Sequence, residues 1–214
     1  LMNETFALNT GISLIDKGGP VMLVLLALSI IALTIILLKL YQFIRSRLRN
    51  TAFIDQTIML LHDEGNKAAL QSLAGNPHPI ARVMDTTLRA GSDKSLSTED
   101  RDTEITRVGS EEVRNLESYL RGLEVIANLS PLLGLLGTVI GMIKAFARLE
   151  AAGTKVDPSI LAGGIWEALL TTAFGLSVAI PALAAFYLLE GEVENVRAQM
   201  KDSTTRVLGI LLNR

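Results

Sequence analysis

Three long runs of uncharged residues constrain this chain more than any other feature. The first, residues 21–38, reads VMLVLLALSIIALTIILL. As a helix rising about 1.5 Å per residue, it crosses most of a hydrocarbon core about 30 Å thick. The second, residues 125–143, carries Pro131 and three glycines, which membrane helices tolerate better than soluble ones. The third, residues 160–189, has Glu167 as its one charged residue, and at about 45 Å of helix it must tilt or project beyond the core. With 49% hydrophobic and only 20% charged residues, a lipid-embedded chain is expected. The first run has no basic n-region before it and no A-x-A pattern after it, so it reads as a retained span rather than a signal peptide.

The expected fold class is therefore all-α, an integral membrane protein with three transmembrane helices and a helical cytoplasmic layer. Orientation follows from the basic residues at the ends of the spans. Lys39, Arg45, Arg47 and Arg49 crowd the end of the first run, whereas only Lys17 precedes it. Lys144, Arg148 and Lys155 pull the other way but are fewer. The expected order is a periplasmic segment (1–19), transmembrane helix one (20–43), a cytoplasmic helical loop (44–122) and transmembrane helix two (123–147). A short periplasmic link (148–159), transmembrane helix three (160–189) and a cytoplasmic C-terminal helix (190–214) follow.

Within the loop, Val113, Leu116, Leu120 and Leu123 recur at helical spacing. The turn-forming stretches 75–79 and 91–93 divide it into about three helices, with residues 97–100 offering N-caps for the last. Its mixed charges read as a solvated face with i,i+4 pairs. Residues 208–212 are apolar enough to cap this layer or to pack on a neighbouring subunit.

Several function classes are excluded early. The chain has no cysteine, which removes disulfides, thiolate metal sites and cysteine nucleophiles. His62 and His78 stand in no metal-ligand spacing, and both lie near turn formers, so both are expected to be solvated surface histidines; no metal site and no cofactor are expected. A net charge of −2 supplies no basic field for nucleic acid. No nucleophile–base pair or phosphate loop is present, so an enzyme is not expected.

Glu167 needs an explanation, because an acidic side chain near a membrane helix centre costs about 2.5–3.5 kcal/mol on insertion scales. Thr171 lies one turn on and shares its face, while Thr172 is rotated by about a further 100°. With Thr138 on the second span, these hydroxyls can line a path, or each can bond back to a carbonyl of its own helix. Packing is carried by small residues: Gly137-x-x-x-Gly141 on span two, and Thr171, Gly175 and Ala179 at four-residue steps on span three. Further alanines widen that small surface, which points to a second, intersubunit interface. Pro181 removes a backbone donor and is expected to bend span three.

Residues 132–146, LLGLLGTVIGMIKAF, and 165–181, IWEALLTTAFGLSVAIP, together resemble the MotA/TolQ/ExbB ion-channel family. Three spans, an outside N-terminus and a large cytoplasmic loop are similar to its ExbB and TolQ members rather than to the four-span MotA stators. The resemblance implies a bacterial inner-membrane motor subunit, one of a ring-shaped pentamer around the single-span helices of an ExbD-like or TolR-like partner whose aspartate carries the ion. That complex would convert the proton motive force into work on a TonB-like or TolA-like periplasm-spanning protein, in outer-membrane uptake or, alternatively, in Tol-Pal envelope maintenance. By motif, Thr138 and Thr172 match the family's channel-lining threonines and Glu167 its acidic residue on span three. Members that use protons usually show Ala-Thr where this chain has Thr171-Thr172, and the threonine pair is more similar to sodium-using stators. The expected ion is H+, with Na+ as the alternative; a non-conducting membrane scaffold is the reading from another class.

Overall fold

The computed structural model describes residues 2–151 and 158–212, and the regular elements among them are helices α1 (Met2–Arg45), α2 (Ala52–Asp63), α3 (Asn66–Leu73), α4 (Pro79–Ser92), α5 (Thr98–Glu117), α6 (Leu120–Ala151) and α7 (Pro158–Leu212). Residues 152–157 of the 148–159 link, Lys155 included, lie outside the described residues, as do residues 213–214.

Three helical stretches, Gly19–Arg45, Thr98–Ala151 and Leu161–Leu212, contain windows long and apolar enough to cross a membrane. The first begins at a break in α1, where Gly19 adopts φ 65° and ψ −164° immediately before Pro20. A proline disfavours helical geometry in the residue before it, while its own fixed φ suits a first helical position. α7 continues unbroken through Pro181 for 55 residues, about 80 Å of helix.

The chain divides into two compact units. One comprises Leu1–Ile36 and Arg121–Phe186, that is, the body of α1 with α6 and the first half of α7. Its inward positions are small or aliphatic, among them Leu25, Ala32, Ala127, Ala145, Ala168 and Ala182, while Ile30, Leu33, Val139, Ile143, Leu169 and Ile180 face outward. Helices apolar on all sides belong in lipid.

The other unit comprises Leu37–Leu120 and Tyr187–Arg214. Along α7, Val193, Val196, Met200, Ser203 and Val207 are buried, a stripe stepping by three and four residues. The side chain of Leu211 reaches Gly91 of α4, so the end of α7 packs within its own unit. Ion pairs fix the same helix: Arg197 to Glu117, and Arg206 to Asp55 at 3.0 Å. On α5, Arg107 pairs with Glu104 at 2.7 Å and Glu111 at 3.3 Å on an exposed face, as the charge pattern predicts.

Three expectations are corrected. The loop holds four helices rather than three, because Gly65 takes φ 91° and separates α2 from α3. The apolar repeat from Val113 to Leu123 does not lie on one helix: α5 ends at Glu117, and Tyr119, at φ 65°, turns the chain into α6. His62 is exposed, but His78 is not the solvated histidine expected, being only 1% exposed. Its Nδ1 accepts the N–H of Ile80 at 3.1 Å, capping α4, and its Nε2 lies 3.2 Å from the Leu48 carbonyl. A ring using Nδ1 as acceptor must carry its proton on Nε2, which then donates to Leu48. Burial holds the His78 pKa below the ordinary 6.5, against the opposing pull of the Leu48 hydrogen bond.

Candidate functional site

The candidate residues cluster where α6 and α7 run antiparallel, so close that five glycines mark the crossing. A Cβ added to Gly175 would stand 2.6 Å from the Ser130 carbonyl oxygen, and one on Gly134 would stand 3.0 Å from the backbone of Thr171 and Thr172. On Gly137 it would meet Thr171 Oγ1 at 2.5 Å, and on Gly141 the Ala168 Cβ at 3.1 Å. The contact ends with Gly164 against Ala145, whose Cβ would be 2.4 Å away. Positions 134, 137, 141 and 145 thus face 175, 171, 168 and 164, a seam stepping by three and four on both helices. With no water or hydrophobic drive between membrane helices, this van der Waals contact is what holds them.

Of the predicted packing residues, Gly137, Gly141 and Gly175 lie in this seam, and Pro181, exposed on α7, does not. Gly134, Ser130, Ala145 and Gly164 were not singled out from sequence, although the alternating spacing of small residues on both spans carries the signal.

The hydroxyls are positioned by the same crossing. Thr171 is 2% exposed. Its Oγ1 donates to the Ala168 carbonyl at 2.7 Å and lies 3.4 Å from the Gly134 carbonyl. Thr172, half-buried, donates across the helix pair to the same Gly134 oxygen at 3.1 Å. A glycine carbonyl with no side chain in front of it is open to both. Thr138 lies one turn beyond Gly134 on α6, and its hydroxyl bonds back to Leu135 O at 2.6 Å. It opens onto a shallow cleft of about 590 Å³ along α6 that continues past Met142 and Phe146 to Glu150.

Glu167 is half-exposed on α7, one turn before Thr171, and makes no hydrogen bond or ion pair among the described residues. The structure therefore brings Thr171 and Thr172 together on one acceptor. It does not bond Thr138 or Glu167 to either of them within a single chain. No group of three or more His, Cys, Asp or Glu residues suited to a metal ion occurs among the described residues.

Long apolar helices, a glycine seam, and one buried and one half-buried hydroxyl on a shared carbonyl define a multi-pass helical membrane protein with polar groups arranged along one helix pair. Residues 76–202, more than half of the chain, match the model of the MotA/TolQ/ExbB proton channel family, and the chain belongs to that family. Similar proteins include a putative biopolymer transport protein ExbB homolog of Methanothermobacter thermautotrophicus, 28% identical over 187 residues, which cover 87% of this chain and 65% of that protein. A putative biopolymer transport protein, ExbB-like 1, of Synechocystis is 33% identical over 175 residues, covering 81% of this chain and 68% of the relative. The Tol-Pal system protein TolQ of Haemophilus influenzae is 40% identical over 85 residues, 40% of this chain and 37% of its own length. The chain spans less than two thirds of the Methanothermobacter and Haemophilus relatives it matches.

Proposed function

We propose that this protein is the channel-forming subunit of an ion-driven motor in the inner membrane, with its N-terminus in the periplasm and its C-terminus in the cytoplasm. Five copies form a ring around single-span helices of an ExbD-like or TolR-like partner, and an aspartate on that partner carries a proton past Thr172 and Thr138. Each proton descending 100 mV releases about 2.3 kcal/mol from the potential alone, which the complex delivers as work on a TonB-like periplasm-spanning protein. The chain itself makes and breaks no covalent bond and holds no resident cofactor in this reading.

The observation that carries it is the Thr172 hydroxyl, half-buried on the Gly134 carbonyl one turn from Thr138, in a member of a proton channel family. A hydroxyl so placed can turn from the carbonyl to a passing carboxyl without leaving a buried group unsatisfied on the chain. The unpartnered face of α6 running from Thr138 through Phe146 supports a helix from outside the chain lying beside it. Thr171 supports protons over sodium, since its oxygen is buried and committed to carbonyls inside the seam.

The similarity to a TolQ protein keeps a role in envelope maintenance as the second reading. Thr138→Ala and Thr172→Ala strains test the proposal: each should keep expression and partner co-purification while losing energy-coupled activity, and full activity in both would contradict it. Glu167→Ala separates a motor from a scaffold, because a scaffold tolerates the loss of the carboxylate once assembled.

A further inference from the structure

We propose that the basic groove at the end of α1 is a binding site for an anionic phospholipid, with Arg47 on the headgroup phosphate and an acyl chain along the apolar wall. The groove has a volume of about 520 Å³; Leu40 and Ile44 of α1 and Leu188 of α7 form its wall, and Arg47, Arg49 and Glu192 its polar end. It lies wholly within the unit that contains the helical loop.

Charge is the first argument. Both Nε and Nη2 of Arg49 donate to one Glu192 oxygen, at 3.1 and 2.8 Å, which neutralises the one carboxylate among the groove's lining residues. The Arg47 guanidinium has no hydrogen-bond or ion-pair partner among the described residues, so the polar end keeps a positive charge. Its planar fork matches phosphate oxygens.

The backbone supplies the second argument. The N–H of Leu48 bonds to the Phe43 carbonyl at 3.3 Å and that of Arg47 to Ile44 at 3.1 Å, the paired bonds of a Schellman ending. The residue that must turn left-handed there is usually glycine, yet here it is Arg47, at φ 48°. An arginine held in a conformation that disfavours side chains calls for a functional reason.

Depth decides the occupant. Counted from Pro20 at about 1.5 Å per residue, Ile44 lies about 36 Å along α1, just past a core of about 30 Å. The apolar wall then meets the acyl chains and Arg47 the phosphates of the leaflet on that side. Ile44 is 68% and Leu188 74% exposed, apolar surface that lipid covers and water does not. The inference rests on α1 spanning the bilayer and not on ion flow, so it stands or falls apart from the motor reading.

The test uses the full chain in neutral detergent, delipidated, then supplied with phosphatidylglycerol or phosphatidylcholine of the same acyl chains and followed by native mass spectrometry and thermal unfolding. Phosphatidylglycerol should bind with an apparent affinity about tenfold higher than phosphatidylcholine, as expected for a charge-assisted contact. Arg47→Gly should fold at least as well in phosphatidylcholine, because glycine suits φ 48°, and should lose that preference; Arg47→Lys should keep part of it. Equal binding of the two lipids by the wild-type chain, or an undiminished preference in Arg47→Gly, overturns the proposal. So does a full stabilising effect from glycerol phosphate alone, which would mark a soluble-anion site. A change of oligomer distribution in Arg47→Gly without any lipid preference in the wild type would mean that a second copy covers the groove, and also overturns it.

Discussion

Thr171 occupies the notch left by Gly137, and the pair behaves as one packing unit. Gly137→Ala would put a methyl 2.5 Å from Thr171 Oγ1 and 2.7 Å from its Cβ, a clash neither helix can relieve without parting. Overpacking of this kind costs about 1–3 kcal/mol. The Gly137→Ala variant should unfold at lower temperature in detergent, and the double variant Gly137→Ala/Thr171→Ala, which exchanges volume across the seam, should recover most of the loss. An additive double variant would show that the two residues do not touch. His78 belongs to the same scale. Its folded pKa is depressed, so the unfolded state takes up the proton first: its contribution is full above the ordinary 6.5 and is lost as pH falls through the lower folded value. Protonating Nδ1 would also oppose it to the Ile80 N–H. Stability should therefore decline below about pH 6.5 in a urea titration of the wild type, and His78→Asn, which can still cap α4, should flatten that part of the profile.

At the scale of elements, Lys39 joins the end of the first apolar run to the end of α5. It is 1% exposed. Its Nζ donates to the Leu116 carbonyl at 2.8 Å, to Gln42 Oε1 at 2.9 Å and to Ser118 Oγ at 3.1 Å, and lies 3.4 Å from the Asn115 carbonyl. Leu116 and Asn115 carry the last carbonyls of α5, where a helix end favours a cation. Lys39→Met fills the space but takes the charged donor from the Leu116 carbonyl, at about 1–3 kcal/mol. Hydrogen exchange should then rise in residues 112–119 more than in α2 or α3; uniform exchange would contradict the clamp. In sequence Lys39 was legible only as a basic flank, since Asn115, Leu116 and Ser118, which accept from it, lie more than seventy positions away. The spans themselves were legible because eighteen uncharged residues leave the chain few choices. Ser97 was legible as the α5 cap because its Asp100 partner is local, and its hydroxyl does accept the Asp100 N–H at 3.1 Å. His78 was misread because the Leu48 carbonyl that buries it comes from a different element. The candidate threonines were found by motif, but their common acceptor was not, because a glycine carbonyl carries no chemical mark in a sequence.

At the scale of the molecule, the chain changes character where it passes from one unit to the other, at residues 36–37, 120–121 and 186–187, close to the end of the first and third apolar runs and the start of the second. One unit is apolar outside and small inside, which suits lipid and neighbouring helices. The other is apolar inside and charged outside, which suits water. The proposed motor asks the first unit to provide a path and the second to stay folded while the path is used. The most direct test is proton flux into proteoliposomes that hold the chain with the proposed single-span partner, driven by an imposed membrane potential and compared between wild type and Thr172→Val. Valine keeps the shape of threonine and removes only the hydroxyl that now rests on Gly134. The account predicts a potential-dependent proton flux in the wild type that falls at least about tenfold in Thr172→Val, equivalent to about 1.4 kcal/mol on the barrier, with complex assembly unchanged. Equal flux in the two, from equally assembled complexes, would contradict it.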